Sequence, residues 1–254
     1  MEYLFDHFKG EEEFVKKVIG LISKADEYQM PCLTEFLSPY HQRIVLSLVN
    51  HQKDLQVMFE GGIENSEMKR CIIAPSYYKI NQEDFEIIIF EVKYASKFST
   101  LTHSDVLGAM MSKGIKRERF GDIVIHDGIF FACDKAISDL LSVELESIKN
   151  ASVRLEITNR KIESKIEYRV KTFFVSSYRL DTLLANLYHL SRNEVNRYIQ
   201  SGFVKVNHKV VVENKFLCNN SDVISFKKHG RVRVEFLDRT TKQGNHVIEG
   251  YFYK

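Results

Sequence analysis

Five basic side chains in the C-terminal part of the sequence have types and spacings suited to binding phosphate groups. They are Arg179, Arg192, Arg197, Lys205 and Lys209. An arginine guanidinium donates two parallel hydrogen bonds to a phosphate, and a lysine ammonium supplies a point charge. A helix that begins at Arg192 would add free backbone N–H groups, which attract anions. Each residue alone is more often a hydrated surface charge, but together the five side chains suit a partner that carries phosphate groups.

A second basic segment lies in the middle of the chain, between Gly114 and Gly121. It contains Lys116, Arg117 and Arg119. These side chains predict either a phosphate-binding loop or a loop whose charges are only hydrated, and the sequence leaves both interpretations open.

Charge is distributed unevenly along the 254 residues, although the formal net charge is only +2. Residues 1–150 carry 17 basic and 24 acidic side chains, whereas residues 151–254 carry 19 and 10. An acidic part followed by a basic part predicts a polyanionic partner for the C-terminal part. The charge pattern alone does not separate RNA from DNA, or either of them from a basic surface without a partner.

The sequence contains no pattern typical of a catalytic or metal site. His103, Ser104 and Asp105 are consecutive, so that stretch cannot by itself supply a nucleophile, a base and an orienting carboxylate. The sequence has no glycine-rich dinucleotide loop, P-loop or cluster of metal ligands. The four cysteines are far apart and none forms a C-x-x-C pair, which predicts reduced, buried thiols. We therefore expect no catalytic residue, no cofactor and no metal.

Asp181 requires separate consideration, because the Arg-Leu-Asp motif of residues 179–181 resembles the motif around the catalytic aspartate of pseudouridine synthases. In this sequence the aspartate falls in the first turn of a predicted helix, where the helix dipole stabilises a carboxylate. The pattern therefore predicts a structural role for Asp181.

The apolar pattern changes along the chain in a way that predicts three domains of an α+β protein. Residues 1–72 have the helical spacing of a mainly helical domain. Residues 73–160 show elements in the order β-α-β-β-α-β, which is the order of the ferredoxin-like, RRM-like plait. Residues 178–240 contain two short helices followed by short strands, and residues 159–178, which are polar and strand-like, are expected to be a connector.

Neither a membrane span nor a secretory signal is expected. No apolar run approaches the ~20 residues that cross a bilayer. The first fourteen residues lack a basic region followed by an apolar core. The expected location is therefore the cytoplasm.

A set of residues in the C-terminal part forms a recognisable pattern: Arg179-Leu180-Asp181, Ser191-Arg192, Ile199, Gly202, Val204-Lys205-Val206-Asn207 and Asp222. This pattern resembles the small RNA-binding domain first recognised in protein S4 of the small ribosomal subunit. Two positions differ, since His208 and Ser221 stand where that family usually has glycine. The resemblance implies a small α/β domain, here called the S4-type domain, that binds structured RNA.

A longer pattern covers nearly the whole chain. It consists of Gly61-Gly62, Lys69-Arg70, Ala74-Pro75, Lys93-Tyr94, Lys97-Phe98, Thr100-Leu101-Thr102-His103, Asp105, Leu107-Gly108-Ala109, Gly114-Ile115, Arg117 and Phe120-Gly121-Asp122. Together with the S4-type domain, it resembles the YlmH family of bacterial ribosome-associated proteins, although Ser104 stands where that family commonly has arginine. The resemblance implies an N-terminal domain, a central plait-like RNA-binding domain and a C-terminal S4-type domain.

The resemblance also implies a function, namely association with the large ribosomal subunit. Family members are linked to rescue of stalled translation, in which a partner protein extends the nascent chain on a split subunit that still holds peptidyl-tRNA, and also to cell division. We therefore expect a non-catalytic, cytoplasmic factor that binds rRNA and tRNA. Two alternatives stay open: an RNA-modifying enzyme, and a cell-division-linked factor that binds proteins and for which RNA is incidental.

Overall fold

The computed structural model describes Phe8 and residues 10–50 and 52–253, so the expectation that the first residues carry no secretory signal lies largely outside the described residues. The chain divides into two compact units, Met1–Ser164 and Lys165–Lys254. Within the described residues, no helix combines the length and the apolar character needed to cross a membrane.

The N-terminal part of the first unit combines two helices with a three-stranded sheet of order β1-β3-β2. Its elements are α1 (Glu12–Glu27), β1 (Cys32–Leu33), α2 (Pro39–Val49), β2 (Leu55–Glu60) and β3 (Arg70–Pro75). Helix α2 begins at Pro39 because the Ser38 hydroxyl accepts a hydrogen bond from the N–H of His41. The sequence pattern does not predict β3, and the expected boundary between residues 72 and 73 falls within this strand, which pairs with both β1 and β2.

The central part of the first unit has the expected order of elements. They are β4 (Ile87–Tyr94), α3 (His103–Ser112), β5 (Phe120–Ile125), β6 (Ile129–Asp134), α4 (Ser138–Glu144), β7 (Ser147–Ile148) and β8 (Ala151–Ile157). The strand order is β5-β6-β4-β8-β7, and all neighbouring strands are antiparallel. Apart from the short edge strand β7, this is the ferredoxin-like plait that the sequence predicts. Helices α3 and α4 cover one sheet face, where Phe90, Met110, Phe131 and Leu141 are buried.

Part of the opposite face of the plait's sheet is covered by other segments of the same chain. Phe36 from the N-terminal part and Ile162 from the segment after β8 form one buried cluster with Phe130 and Ala132. Gly121 permits this close packing, because a Cβ atom there would lie 2.8 Å from the Phe36 ring and 2.9 Å from the Ala132 methyl group. The N-terminal part and the plait therefore share one core.

Polar contacts of Arg70 join the same two parts. Its almost fully buried guanidinium donates hydrogen bonds to the carbonyl oxygens of Thr34 (2.8 Å), Phe85 (3.0 Å) and Glu86 (3.1 Å). Nη1 of Arg70 also lies 3.5 Å from the carboxylate of Asp134, at the end of β6. Burial lowers the pKa of Arg70, and the charge of Asp134 opposes that shift. The buried cation is thus stabilised by several acceptors at once.

The second unit is a six-stranded antiparallel sheet of order β11-β10-β12-β13-β14-β9, with two helices packed on one face. Its elements are β9 (Tyr168–Val175), α5 (Leu180–Tyr188), α6 (Arg192–Gln200), β10 (Val204–Val206), β11 (Lys209–Val210), β12 (Val223–Phe226), β13 (Gly230–Thr240) and β14 (His246–Tyr253). The prediction of a connector over residues 159–178 is wrong for β9, because this strand pairs with β14 along its whole length. The folded unit reaches beyond both ends of the expected range 178–240.

The two positions that depart from the S4-type pattern have backbone conformations that favour glycine. His208 has φ +71° and follows Asn207, with φ +49°, in the turn between β10 and β11. Ser221 has φ +65°. The backbone therefore keeps the left-handed turns of the pattern although neither residue is glycine.

Candidate nucleic-acid interface

Helix α6 presents two of the predicted arginines to solvent. Its apolar residues Val195 and Ile199 are fully buried, which fixes the side of the helix that faces outward. Arg192 and Arg197 are both exposed. The Ser191 hydroxyl accepts a hydrogen bond from the third backbone N–H of the helix at 3.3 Å, so Arg192 lies in the first turn as the sequence predicts. An anion at this end of α6 meets free backbone N–H groups as well as a guanidinium.

The hairpin of β10 and β11 carries the two predicted lysines. Lys205 is exposed on β10, and Lys209 is half-buried at the start of β11. Asn207 ties the turn to the next strand, because its Nδ2 donates to the buried carboxylate of Asp222 at 2.7 Å and its Oδ1 accepts from the N–H of Val223 at 2.9 Å. Asn207 and Asp222 therefore position the hairpin, a role that the sequence pattern indicates only through their place in the motif.

Arg179 is held by an ion pair within the second unit. Its Nε and Nη2 donate to the Asp181 carboxylate at 3.1 and 2.6 Å, and its side chain remains 36% exposed. Asp181 is buried and also accepts a hydrogen bond from the N–H of Thr182. Burial alone would raise the pKa of Asp181, but the bonds and charge of Arg179 outweigh it and the pKa lies below its ordinary value. These contacts are those of a structural aspartate, and they fix the orientation of the Arg179 guanidinium.

The basic loop between Gly114 and Gly121 of the plait has one exposed basic side chain and two that contact other groups of the same unit. Lys116 is exposed. Nη1 of Arg117 donates to the carbonyl oxygen of Phe120 at 2.6 Å, and Nη2 of Arg119 lies 3.2 Å from the Asp134 carboxylate. Of the three predicted contacts in this loop, Lys116 is the one whose charge faces solvent.

The surfaces of the plait that remain available to RNA are its helices, loops, sheet edges and the uncovered part of its sheet face, which carries Lys93 and Arg154. RNA-recognition plaits stack bases on aromatic side chains of an open sheet face. In this protein part of that face belongs to the buried cluster with Phe36 and Ile162. The loop between β4 and α3 offers a different aromatic group, since Phe98 follows the exposed Lys97 and is itself 90% exposed.

The groups that could suggest catalysis have structural partners. Asp105 accepts hydrogen bonds from Lys149 (2.7 Å) and from the N–H of Thr102 (2.8 Å), and these contacts lower its pKa to about 2. The four cysteines are buried, and burial raises the pKa of Cys133 and Cys218 to about 12, far from neutral pH. Among the described residues, no three or more His, Cys, Asp or Glu side chains are grouped so that they could hold a metal ion.

Comparisons with known proteins match both units. The family description "YlmH, N-terminal" matches residues 10–78, "Putative RNA-binding domain in YlmH" matches residues 81–162, and "S4 domain" matches residues 179–224. The chain is 32% identical over 248 residues to a Bacillus subtilis protein named "Ribosome-associated protein quality control protein P2", a match that covers 96% of each chain. The chain belongs to the YlmH family. The resemblance drawn from the sequence is thereby confirmed.

Two further proteins are similar to this chain, one in structure and one over a short stretch of sequence. The structure resembles "Cell division protein ylmH from Streptococcus pneumoniae" with 28% identity and a TM-score of 0.52, covering 59% of this chain and 92% of that one. A stretch of 59 residues is 39% identical to a Mycoplasma genitalium protein named "Uncharacterized RNA pseudouridine synthase MG209". This stretch covers 23% of this chain and 19% of that protein, which is too little to assign a reaction to the YlmH chain.

Proposed function

We propose that the protein is a non-catalytic RNA-binding factor that binds rRNA and tRNA on the large ribosomal subunit and acts in rescue of stalled translation. The observation that carries the proposal is the pair of exposed arginines, Arg192 and Arg197, on a capped helix. This arrangement suits the phosphate backbone of folded RNA. The ribosome-associated quality-control name of the Bacillus subtilis relative supports the ribosome as the source of that RNA.

The finer parts of the proposal rest on the family resemblance. We infer that the large subunit still holds peptidyl-tRNA when the protein binds, that a partner protein of ribosome quality control acts on the same complex, and that both meet it in the cytoplasm. Lys116 and Phe98, in loops of the central part, are the candidates for a second RNA contact beside the S4-type domain.

Salt dependence of ribosome binding provides the test. Each phosphate contact that is lost reduces the slope of log affinity against log salt by about 0.7–0.9, so Arg192→Ala with Arg197→Ala should reduce it by about 1.4–1.8. Co-sedimentation with purified large subunits, with and without peptidyl-tRNA, measures this slope. The control variant is Arg239→Ala with Lys242→Ala. It also removes two exposed charges, one near the end of β13 and one in the turn that follows, and it should leave the slope unchanged. Binding by the α6 variant equal to that of the unaltered protein would refute the proposal.

Modification of RNA is the second candidate, and the local similarity to a protein named as a pseudouridine synthase favours it. The buried and ion-paired state of Asp181 opposes it. Mass spectrometry of nucleosides from ribosomes of deletion and wild-type cells separates the two functions, because only an enzyme would change the modified nucleosides. A pull-down that survives nuclease treatment and returns division proteins without ribosomes would favour the cell-division role instead.

A further inference from the structure

A small apolar pocket lies in the first unit, between helix α1 and the loop that joins β1 to α2. Val18 and Leu21 of α1 line it together with Phe36 and Leu37 of the loop. Its volume is about 180 Å³. An apolar cavity of about 150 Å³ holds one benzene molecule, so this pocket has room for one large apolar side chain. We call it the α1 pocket.

The loop side of the α1 pocket is held by hydrogen bonds to other segments of the unit. The N–H of Phe36 donates to the carbonyl oxygen of Glu118 at 2.9 Å, and the N–H of Leu37 donates to that of Lys69 at 2.7 Å. Nε2 of Gln42 donates to the carbonyl oxygen of Leu37 at 2.8 Å. Because these contacts fix the wall before anything binds, an occupant would lose little binding free energy to ordering the loop.

The mouth of the α1 pocket is polar and mostly acidic. Glu35 and the exposed Glu118 line it, and Nζ of Lys17 lies 2.5 Å from the Glu35 carboxylate. His41 also lines it and lies 3.2 Å from the carboxylate of Glu11, and the imidazole carries charge only when it is protonated. A phosphate group at this mouth would therefore meet three carboxylates.

The acidic character of the mouth extends to the surrounding part of the chain. Residues 1–150 carry 24 acidic and 17 basic side chains. Arg117 and Arg119 flank Glu118 in sequence, but one donates to a backbone carbonyl oxygen and the other contacts the buried carboxylate of Asp134. An occupant that carries positive charge beside its apolar group therefore suits the mouth better than an anion does.

We propose that the α1 pocket docks a protein, and that its occupant is one large apolar side chain within a basic segment of that protein. Protein interfaces commonly depend on such an anchor in a pocket, surrounded by polar contacts. A nucleobase is a poorer occupant, because its polar edge would lie against apolar walls without hydrogen-bond partners. The inference rests on the proposed function, since proteins that bind RNA are themselves basic and the large subunit would supply one.

A larger side chain in the wall of the α1 pocket provides the first test. Leu21→Phe should exclude the occupant and weaken binding to purified large ribosomal subunits by about tenfold to hundredfold, the value of burying one large apolar side chain. Leu46→Phe makes the same change at an exposed position of α2 and should bind as the unaltered protein does. Co-sedimentation measures both variants, and equal binding by Leu21→Phe would overturn the inference.

A second variant changes an exposed side chain and does not depend on the packing of the pocket. Glu118→Lys reverses a charge at the mouth and should weaken binding about two- to fivefold, because it repels a basic segment. Glu27→Lys, at the far end of α1, is the matched control and should bind as the unaltered protein does. Unaltered binding by Glu118→Lys would contradict a basic occupant, and tighter binding would indicate RNA at the mouth instead.

A crosslink identifies what lies at the mouth. A photoreactive phenylalanine in place of the exposed Glu13, one helical turn before Lys17, should crosslink in the bound subunit to a protein segment that has lysine or arginine beside a large apolar residue. Crosslinks to rRNA or tRNA alone, to residues 1–7 of the same chain, to a second copy, or to nothing would overturn the inference.

Binding of the unaltered protein separates this inference from the proposed function. If the unaltered protein does not bind large subunits, the proposed function fails. If it binds them and Leu21→Phe binds equally well, only the inference about the α1 pocket fails.

Discussion

Replacement of Arg70 by leucine tests whether buried polar contacts join the N-terminal part to the plait. The change removes the donor to the carbonyl oxygens of Thr34, Phe85 and Glu86, and it removes one of two arginines beside the buried carboxylate of Asp134. A buried acceptor left without a donor costs about 1–3 kcal/mol. Removal of one partner from a buried ion pair lowers the free energy of unfolding by about 3–5 kcal/mol.

The two costs overlap, and they are reduced because Arg119 remains 3.2 Å from Asp134. We therefore expect Arg70→Leu to lower the free energy of unfolding of the first unit by about 3–5 kcal/mol. For a unit of this size, that corresponds to a fall in melting temperature of about 6–20 °C.

Calorimetry of the full chain measures the melting temperature, and hydrogen exchange with mass spectrometry shows where protection is lost. Faster exchange should appear in β3 and β4, with the strands of the second unit unchanged. Arg43→Leu, at an exposed position of α2, is the matched control and should change stability by less than about 0.5 kcal/mol. If Arg70→Leu changes stability no more than this control does, the buried contacts do not join the two parts.

Three further predictions concern other positions. Asp181→Asn should destabilise the second unit near neutral pH, because the ion pair with Arg179 contributes only while the carboxylate is ionised. In unfolding curves, the difference in stability from wild type should disappear as the pH falls from about 4 through the lowered pKa of Asp181. Gly121→Ala should lower stability by about 1–3 kcal/mol by overpacking, whereas Gly108→Ala, in the open middle of α3, should raise it by about 0.5–1 kcal/mol in the same thermal scans. Lys116→Ala should weaken RNA binding without changing the melting temperature, whereas Arg117→Ala should lower the melting temperature. The reverse pattern would show that the loop binds RNA through Arg117.

The elements that the sequence predicts well are those whose signals are local. The plait has caps, a hairpin turn and apolar runs within each element, and the helices of the S4-type domain have Ser191 as a cap and a buried leucine face. Strand β3 is not predicted, and for β9 the sequence shows a strand-like pattern without indicating that it belongs to the C-terminal sheet. The residues of β9 are mostly exposed, and the strand exists because it pairs with β14, more than seventy positions later in the chain. Long-range pairing of this kind leaves little trace in either segment alone.

The candidate interface was predictable in part, for a similar reason. The types and spacing of Arg192, Arg197 and Lys205 predict exposed cations, and the structure places them at the surface. Spacing gives no information about partners that come from distant segments. The inward hydrogen bond of Arg117 and the ion pair of Arg119 with Asp134 therefore required the structure.

The pairing of β9 with β14 has a consequence for how the second unit can be isolated. The two strands bring the start and the end of the unit side by side, so eight residue pairs close the chain on itself. A fragment trimmed to the S4 match, residues 179–224, would lose β9, β13, β14 and the second half of β12, and would leave unpaired N–H and C=O groups on β10 and on the rest of β12. Bare edges of this kind recruit other strands, so such a fragment should self-associate, whereas a fragment of residues 165–254 should stay monomeric.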